Sequence, residues 1–215
     1  MNTNIPDSAK SNKQLAVVGL GYVGLPLSLQ FARSGVSVLG LDIDRNKVEA
    51  LNASQSYIHH ISPSSIGEQV AKGRFSASID FRRVQEVQAI IICVPTPLNK
   101  NREPDISYIL QTGEAIAPHL QRGQLVILES TTYPGTTDED LRQVLETGSG
   151  LKAGIDFHLA FSPEREDPGN PNSKVALIPK VVGGFTPECL EKAAALYGTA
   201  IHKIVKVSSC RAAEV

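Results

Sequence analysis

Residues 15–24 read LAVVGLGYVG, an apolar run of strand length that passes directly into a segment with glycine at positions 19, 21 and 24. Apolar residues at helical spacing follow as far as position 33. A strand, a glycine-rich turn and a helix in this order are typical of the first unit of a dinucleotide-binding α/β sheet. Each glycine has a mechanical role, since Gly19 permits the tight turn, Gly21 lets the backbone approach a pyrophosphate, and Gly24 lets the helix pack close to the strand.

A carboxylate stands where the second strand of such a unit ends. Asp42 follows the apolar run 36–41 and lies about 20 residues after the glycines. At that place it accepts hydrogen bonds from a ribose of NAD and repels the extra phosphate of NADP, although the nearby Lys47 softens the repulsion. The alternatives are a simple tight turn at the glycines and a strand-end cap at Asp42. We predict an NAD site formed by Gly19, Gly21, Tyr22, Val23, Gly24, Asp42 and Lys47.

Short apolar runs alternate with longer amphipathic segments along the rest of the chain. Strands with continuous apolar character are buried on both faces, and their alternation with helices favours parallel pairing through right-handed crossovers. We therefore predict an α/β fold: a Rossmann-type doubly wound, mostly parallel sheet with helices on both faces. Strands are predicted at 15–18, 36–41, 89–94, 125–128, 157–161, 180–182 and 201–207, and helices at 23–33, 46–52, 106–120 with Asp105 as N-cap, 137–145 and 187–197. The less regular stretch 55–78 is predicted to be a loop and a helix.

Composition narrows the class of protein. The 215 residues are 41% hydrophobic, which is enough for a core, and 21 basic residues stand against 22 acidic ones. Near-zero net charge argues against a nucleic-acid partner, and no apolar run approaches the roughly 20 residues of a membrane helix. Cysteines at positions 93, 189 and 210 are odd in number and widely spaced, which indicates neither a disulfide framework nor a metal site. We expect a cytoplasmic protein.

The two ends of the chain differ from its middle. Residues 1–13 are polar and lack the apolar region of a secretory signal, so we predict a flexible leader. Residues 208–215 read SSCRAAEV, a composition that favours helix and contains neither Gly nor Pro to stop one. The predicted organisation is a leader at 1–13, an NAD-binding Rossmann domain at 14–207, and the start of a truncated central helix at 208–215.

Polar residues follow two further predicted strands. Pro95 and Thr96 end the Ile-rich run, and residues 129–131 read EST directly after the next one. Ligands of open α/β sheets bind outside the carboxyl ends of the strands, so Thr96, Glu129, Ser130 and Thr131 are expected around the same crevice. Pro95, Thr96 and Thr131 are candidates for binding the cofactor there. The alternative for residues 94–97 is a rigid turn without a ligand.

Four motifs, in order, resemble the UDP-glucose/GDP-mannose dehydrogenase family: VVGLGYVGLP at 17–26, VPTP at 94–97, EST at 129–131 and FSPER at 161–165. The stretch 162–170 is most similar to the branch that acts on UDP-N-acetylhexosamines, particularly UDP-N-acetylglucosamine. The resemblance implies NAD-dependent oxidation of the sugar C6 hydroxyl to a carboxylate, a four-electron reaction that uses two NAD. It also implies a place in nucleotide-sugar metabolism and polysaccharide biosynthesis, and a homodimer or higher homo-oligomer formed around the central helix.

Site residues are carried over one by one from this resemblance. Thr131 matches a threonine that holds the catalytic water near the nicotinamide, and Glu164 matches a glutamate implicated in proton handling. A surface salt bridge is the alternative for Glu164. With Glu164, Arg165 is a candidate for binding the substrate; Arg165, Lys174 and Lys180 either meet the UDP phosphates or are simply solvated.

The family captures its aldehyde intermediate on a cysteine and uses a lysine for proton traffic, and both are expected beyond Val215. None of the three cysteines here matches that nucleophile, so the chain alone is expected to be inactive. Many relatives also carry a second glutamate where Pro168 stands, which weakens any assignment to UDP-glucose itself. An NAD(H)-sensing binding module without catalysis is the alternative function. Other NAD-linked dehydrogenases fit the first half less specifically, and the glycine spacing disfavours a methyltransferase.

Overall fold

The structure, a computed structural model, describes residues 14–98, 100, 104–164 and 178–215. One eight-stranded sheet runs through it in the order β3-β2-β1-β4-β5-β6-β7-β8. Neighbouring strands are parallel except β6 and β7, which are antiparallel. The strands are β1 (Leu15–Val18), β2 (Val38–Leu41), β3 (Phe75–Ser78), β4 (Ala89–Ile92), β5 (Leu125–Leu128), β6 (His158–Phe161), β7 (Lys180–Gly184) and β8 (Ile204–Val207).

Helices cover both faces of the sheet. Successive residues of a strand point to opposite sides, so apolar strands have side chains to bury on both faces. On β1, Leu15 and Val17 enter one apolar core while Ala16 and Val18 enter another. The predicted Rossmann-type fold is confirmed. The helices are α1 (Gly24–Arg33), α2 (Arg45–Asn52), α3 (Pro63–Ala71), α4 (Ser107–Ile116), α5 (Arg142–Ser149), α6 (Pro187–Gly198) and α7 (Cys210–Glu214), joined by 3-10 turns at Phe81–Glu86 and Ala117–His119 and a π-helical turn at Thr136–Leu141.

The prediction for residues 55–78 missed an edge strand. The predicted helix is α3, but β3 follows it and pairs with β2. Only Phe75 and Ala77 of β3 are buried, and Ser76 and Ser78 are half-buried. Two apolar residues in alternation are too few to separate a short edge strand from a loop.

The predicted helix 106–120 is shorter than expected and begins one residue later. Pro118 lacks the N–H that continues an α-helix, and the chain tightens into a 3-10 turn there. Ile106, rather than the predicted Asp105, occupies the N-cap position of α4. The Asp105 carboxylate still accepts the N–H of Ser107 at 2.9 Å, so it satisfies a donor of the first turn from one position further out.

Helix α7 is fastened to the segment that follows β5. The Glu214 carboxylate accepts the N–H of Gly135 at 2.7 Å and that of Thr137 at 3.0 Å. Arg211 donates to the Asp138 carboxylate at 2.9 Å and forms an ion pair with Glu139. Both ends of this short helix are therefore tied to the π-helical turn at Thr136–Leu141.

Candidate cofactor site

A cleft of about 730 Å³ opens at the carboxyl ends of β1, β2, β4 and β5. It lies next to β1. The first three strands run in the order β3-β2-β1 on one side of this point, and β4 follows on the other side, so the strand order reverses here. Such a reversal of strand order is where doubly wound sheets bind their ligands. Gly24 does not line the cleft, and Arg165 and Lys174 lie outside the residues that the structure describes. The predicted site residues that do line it are Gly19, Gly21, Tyr22, Val23, Asp42, Lys47, Pro95, Thr96, Thr131 and Glu164.

The three glycines of the first turn meet different surroundings. Gly19 has φ +91°, and a Cβ there would lie 2.4 Å from the carbonyl oxygen of Cys93. A Cβ on Gly24 would lie 1.8 Å from the carbonyl oxygen of Gly19. A Cβ on Gly21 would meet nothing within 4 Å, although Gly21 lines the cleft. Gly19 and Gly24 are therefore required by the fold, whereas the open space at Gly21 fits the approach of a phosphate group to the backbone.

Asp42 holds two backbone segments at the rim of the cleft. Its carboxylate accepts the N–H of Leu20 at 2.8 Å through one oxygen and that of Asp44 at 2.9 Å through the other. The Lys47 ammonium lies 3.7 Å from the carboxylate. The carboxylate thus caps the end of β2 and also faces the cleft. Each oxygen retains a further lone pair that a ribose hydroxyl can use.

Tyr57 supports the glycine-rich turn from outside, which the sequence did not indicate. Its hydroxyl donates to the carbonyl oxygen of Leu20 at 2.5 Å, and the Lys47 ammonium lies 5.9 Å from its ring centroid. Burial raises the pKa of Tyr57, and the nearby carboxylates of Asp42 and Asp44 raise it further. The phenol therefore remains a hydrogen-bond donor at neutral pH.

The opposite end of the cleft is formed where β4, β5 and β6 end. The Ser130 hydroxyl donates to the carbonyl oxygen of Val94 at 2.8 Å, which joins the segments carrying Thr96 and Thr131. Thr131 is exposed and Glu164 is half-buried. The two residues carried over as catalytic therefore lie on the wall of the same cleft as the glycine-rich turn.

Behind this end of the cleft lies a buried cluster of ionisable side chains. Glu129 lines the cleft, and its carboxylate accepts hydrogen bonds from the Lys180 ammonium and the Tyr197 hydroxyl. The expectation that Lys180 meets a phosphate or is solvated is wrong, because Lys180 is buried and paired with Glu129. Sequence reasoning assigned no role to Tyr197, since its spacing on α6 is that of an ordinary core residue.

The three cysteines are buried in the core. Within the described ranges, no three His, Cys, Asp or Glu side chains come together in a way that could hold a metal. Among the same residues, no helix is long and apolar enough to cross a bilayer.

Comparison with known proteins identifies the family of the chain that forms this cleft. Residues 13–201 match the model of the NAD binding domain of the UDP-glucose/GDP-mannose dehydrogenase family. The chain belongs to this family. Its domain binds NAD, and the open backbone at Gly21 and the carboxylate of Asp42 in the cleft fit that cofactor.

Relatives in this family are named for nucleotide sugars. UDP-N-acetyl-D-glucosamine 6-dehydrogenase of Pseudomonas aeruginosa is 36% identical over 206 residues, which are 94% of this chain and 48% of that protein. The structure of the Pyrococcus horikoshii UDP-D-ManNAc dehydrogenase matches with TM-score 0.87 and 33% identity, over 94% of this chain and 48% of that one. A ternary complex of GDP-mannose dehydrogenase from Pseudomonas aeruginosa matches with TM-score 0.87 and 25% identity, over 94% and 47%. The chain spans about half the length of these relatives.

Proposed function

We propose that this chain is the NAD-binding part of an enzyme that oxidises the C6 hydroxyl of a UDP-N-acetylhexosamine to the uronate, with two NAD per turnover. One observation carries the proposal: a single cleft has the glycine-rich turn and Asp42 at one end and Thr131 and Glu164 at the other. A binding site for a dinucleotide and a set of polar groups suited to proton transfer therefore share one space.

The dinucleotide end of the cleft offers a separate group to each part of the cofactor. The open backbone at Gly21 and the nearby N-terminus of α1 bind the diphosphate, and the Asp42 carboxylate accepts hydrogen bonds from the adenosine ribose hydroxyls. Tyr22, Val23, Lys47, Pro95 and Thr96 form walls of the site. Bound NAD supplies the hydride acceptor of the reaction.

The other end of the cleft is assigned to the reacting sugar. Thr131 orients a water molecule with its hydroxyl, and Glu164 takes up or returns a proton; Arg165 with Glu164 contacts the substrate. The nucleophilic cysteine and the lysine of the family are assigned to a part of the whole protein outside this chain. The whole protein is proposed to be a cytoplasmic homo-oligomer that serves polysaccharide biosynthesis, and this chain alone is proposed to be inactive.

The choice of an N-acetylated sugar rests on the similar proteins. Relatives at 33–36% identity include enzymes named for UDP-N-acetylglucosamine and UDP-N-acetylmannosamine. The solved structure named for a GDP-sugar is less similar, at 25% identity. Pro168 in place of a second glutamate supports the same choice.

Titration of the chain with NADH, followed by cofactor fluorescence, tests the cofactor site. Asp42→Asn removes the charge of a cleft carboxylate, and we expect about tenfold to a hundredfold weaker binding, because a charge-assisted hydrogen bond contributes about 1.5–3 kcal/mol. Asp44→Asn is the matched control: it removes the same charge two residues away, outside the cleft lining, and keeps a side chain that caps α2 equally well. Equal weakening by both variants, or no NADH binding to the unchanged chain, contradicts the proposal.

Turnover by the complete gene product separates the enzyme from an NAD(H)-sensing module. The enzyme forms two NADH for each UDP-N-acetylglucosamine or UDP-N-acetylmannosamine oxidised, and NADH absorbance measures this directly. A sensor binds NADH with the same residues but forms none with either sugar.

A further inference from the structure

The buried cluster of Glu129, Lys180 and Tyr197 draws together three distant parts of the chain. Glu129 follows β5, Lys180 begins β7, and Tyr197 lies on α6. Their exposed fractions are 2%, 6% and 0%. Charged groups are almost never buried to this degree unless they are paired.

Hydrogen bonds connect the members of this cluster to one another and to the backbone. The Lys180 ammonium and the Tyr197 hydroxyl donate to different oxygens of the Glu129 carboxylate. The ammonium also lies 3.4 Å from the carbonyl oxygen of Pro163, to which it donates, and 5.4 Å from the centroid of the Tyr197 ring. Lys180 therefore binds the residue two positions before Thr131 and the residue directly before Glu164.

Stability alone does not account for such a cluster. Removing two charges from water is expensive, and a buried ion pair often stabilises a fold no better than apolar side chains of the same volume. A fully bonded cluster does hold its members in one arrangement. The cluster lies directly behind the cleft wall, where a fixed arrangement also fixes the segments that carry Thr131 and Glu164.

We propose that Lys180 and Tyr197 are positioning residues: through Glu129 and the Pro163 carbonyl they hold the two segments that carry Thr131 and Glu164 in place on the cleft wall. The proposal rests on the proposed function for the roles of Thr131 and Glu164. Lys180 and Tyr197 act through other residues and take no part in proton transfer themselves.

Burial and the neighbouring charges together set the protonation states of Glu129, Lys180 and Tyr197. Burial raises the pKa of Glu129, and the Lys180 ammonium opposes this shift. Burial lowers the pKa of Lys180, but Glu129 and Glu164 reverse the direction, so the pKa of Lys180 is raised and the ammonium persists. Burial and the Glu129 carboxylate also raise the pKa of Tyr197, and Cys93 and Ser162 are its other polar neighbours.

The test compares Lys180→Met with Lys180→Arg in this chain by NMR. Lys180→Met removes the cation and keeps the length of the side chain, so the backbone amide resonances of Thr131 and Glu164 should shift or broaden. The carboxyl ¹³C titration of Glu129 should move to higher pH, because the Tyr197 hydroxyl alone then opposes the effect of burial on the pKa of Glu129. Lys180→Arg keeps the charge and should restore most of both signals. Lys192→Met, at an exposed lysine paired with Glu188, is the control and should change neither.

Unchanged Thr131 and Glu164 resonances in a folded Lys180→Met chain would overturn the proposal, as would equal effects of Met and Arg. Should Lys180→Met not fold, Tyr197→Phe removes one donor to Glu129 without removing a charge, and the same two amides must respond to it. These measurements need no turnover, so they stand even where the complete gene product oxidises no nucleotide sugar. In an active gene product, Lys180→Met should lower kcat by up to about a hundredfold, as expected for misplaced reacting groups, with a smaller change in KM for NAD.

Discussion

At position 21 a methyl group would meet open space, whereas at position 24 it would lie 1.8 Å from the carbonyl oxygen of Gly19. We therefore expect Gly21→Ala to fold with unchanged stability and to lose NADH binding, because the methyl group occupies the place of the diphosphate. Gly24→Ala should fail to fold or lose several kcal/mol, since backbone atoms cannot move aside. Urea unfolding together with NADH titration measures both. A Gly21→Ala chain that binds NADH normally would show that the diphosphate lies elsewhere.

His158 predicts how stability depends on pH. Burial and the nearby Lys192 lower its pKa, although Glu188 opposes them. The group favours the folded state fully above its unfolded pKa of about 6.5, and that contribution is lost as the pH falls below this value. The unfolding free energy should therefore fall less between about pH 7.5 and 5.5 in His158→Gln than in the unchanged chain. Identical pH dependence of the unfolding free energy in both chains would mean that other groups cause the loss of stability at low pH.

Single residues were predicted from the sequence as well as their spacing allowed. Asp42 was predicted because a carboxylate that binds ribose stands at a fixed distance after the glycines; it lines the cleft, and its contact with a ribose stays a prediction. Tyr57 was missed, since no rule of spacing links it to Leu20, 37 positions away. Lys180 was misjudged because the sequence does not show that β7 brings it against Glu129, 51 positions away. Contacts of this kind depend on the order of the strands in space.

At the scale of single elements, the contribution of a helix N-cap to the unfolding free energy can be tested directly. The Thr186 hydroxyl accepts the N–H of Cys189 at the start of α6. Thr186→Ala should lower the unfolding free energy by about 1 kcal/mol, because a first-turn donor loses its partner. Thr199→Ala is the comparison: the Thr199 hydroxyl, at the other end of α6, donates to the carbonyl oxygen of Leu196 in an exposed position. An equal loss in both variants, measured by urea unfolding, would contradict the role of the cap.

Elements were predicted best where they are buried on both faces. The runs that became β1, β4 and β5 are continuous apolar sequences, and every residue of these strands is buried. β3 was missed for the opposite reason: half of its residues are half-buried at the edge of the sheet. The reversed direction of β7 against β6 was not predicted either, because apolar runs carry no information on strand direction.

At the scale of the whole molecule, cofactor binding should stabilise the folded chain. A ligand that binds only the folded state at 100 times its Kd adds about 2.7 kcal/mol to the unfolding free energy. The thermal midpoint of the unchanged chain should rise accordingly with NADH. In Gly21→Ala it should stay the same at equal NADH concentration. A comparable rise in both would mean that NADH binds at a second place.

The bonds of Glu214 to Gly135 and Thr137 join α7 to the polypeptide that leaves β5 through Thr131. Only four positions separate Thr131 from Gly135 along the chain. We therefore expect a rotation or displacement of α7 to move Thr131 at the edge of the cleft.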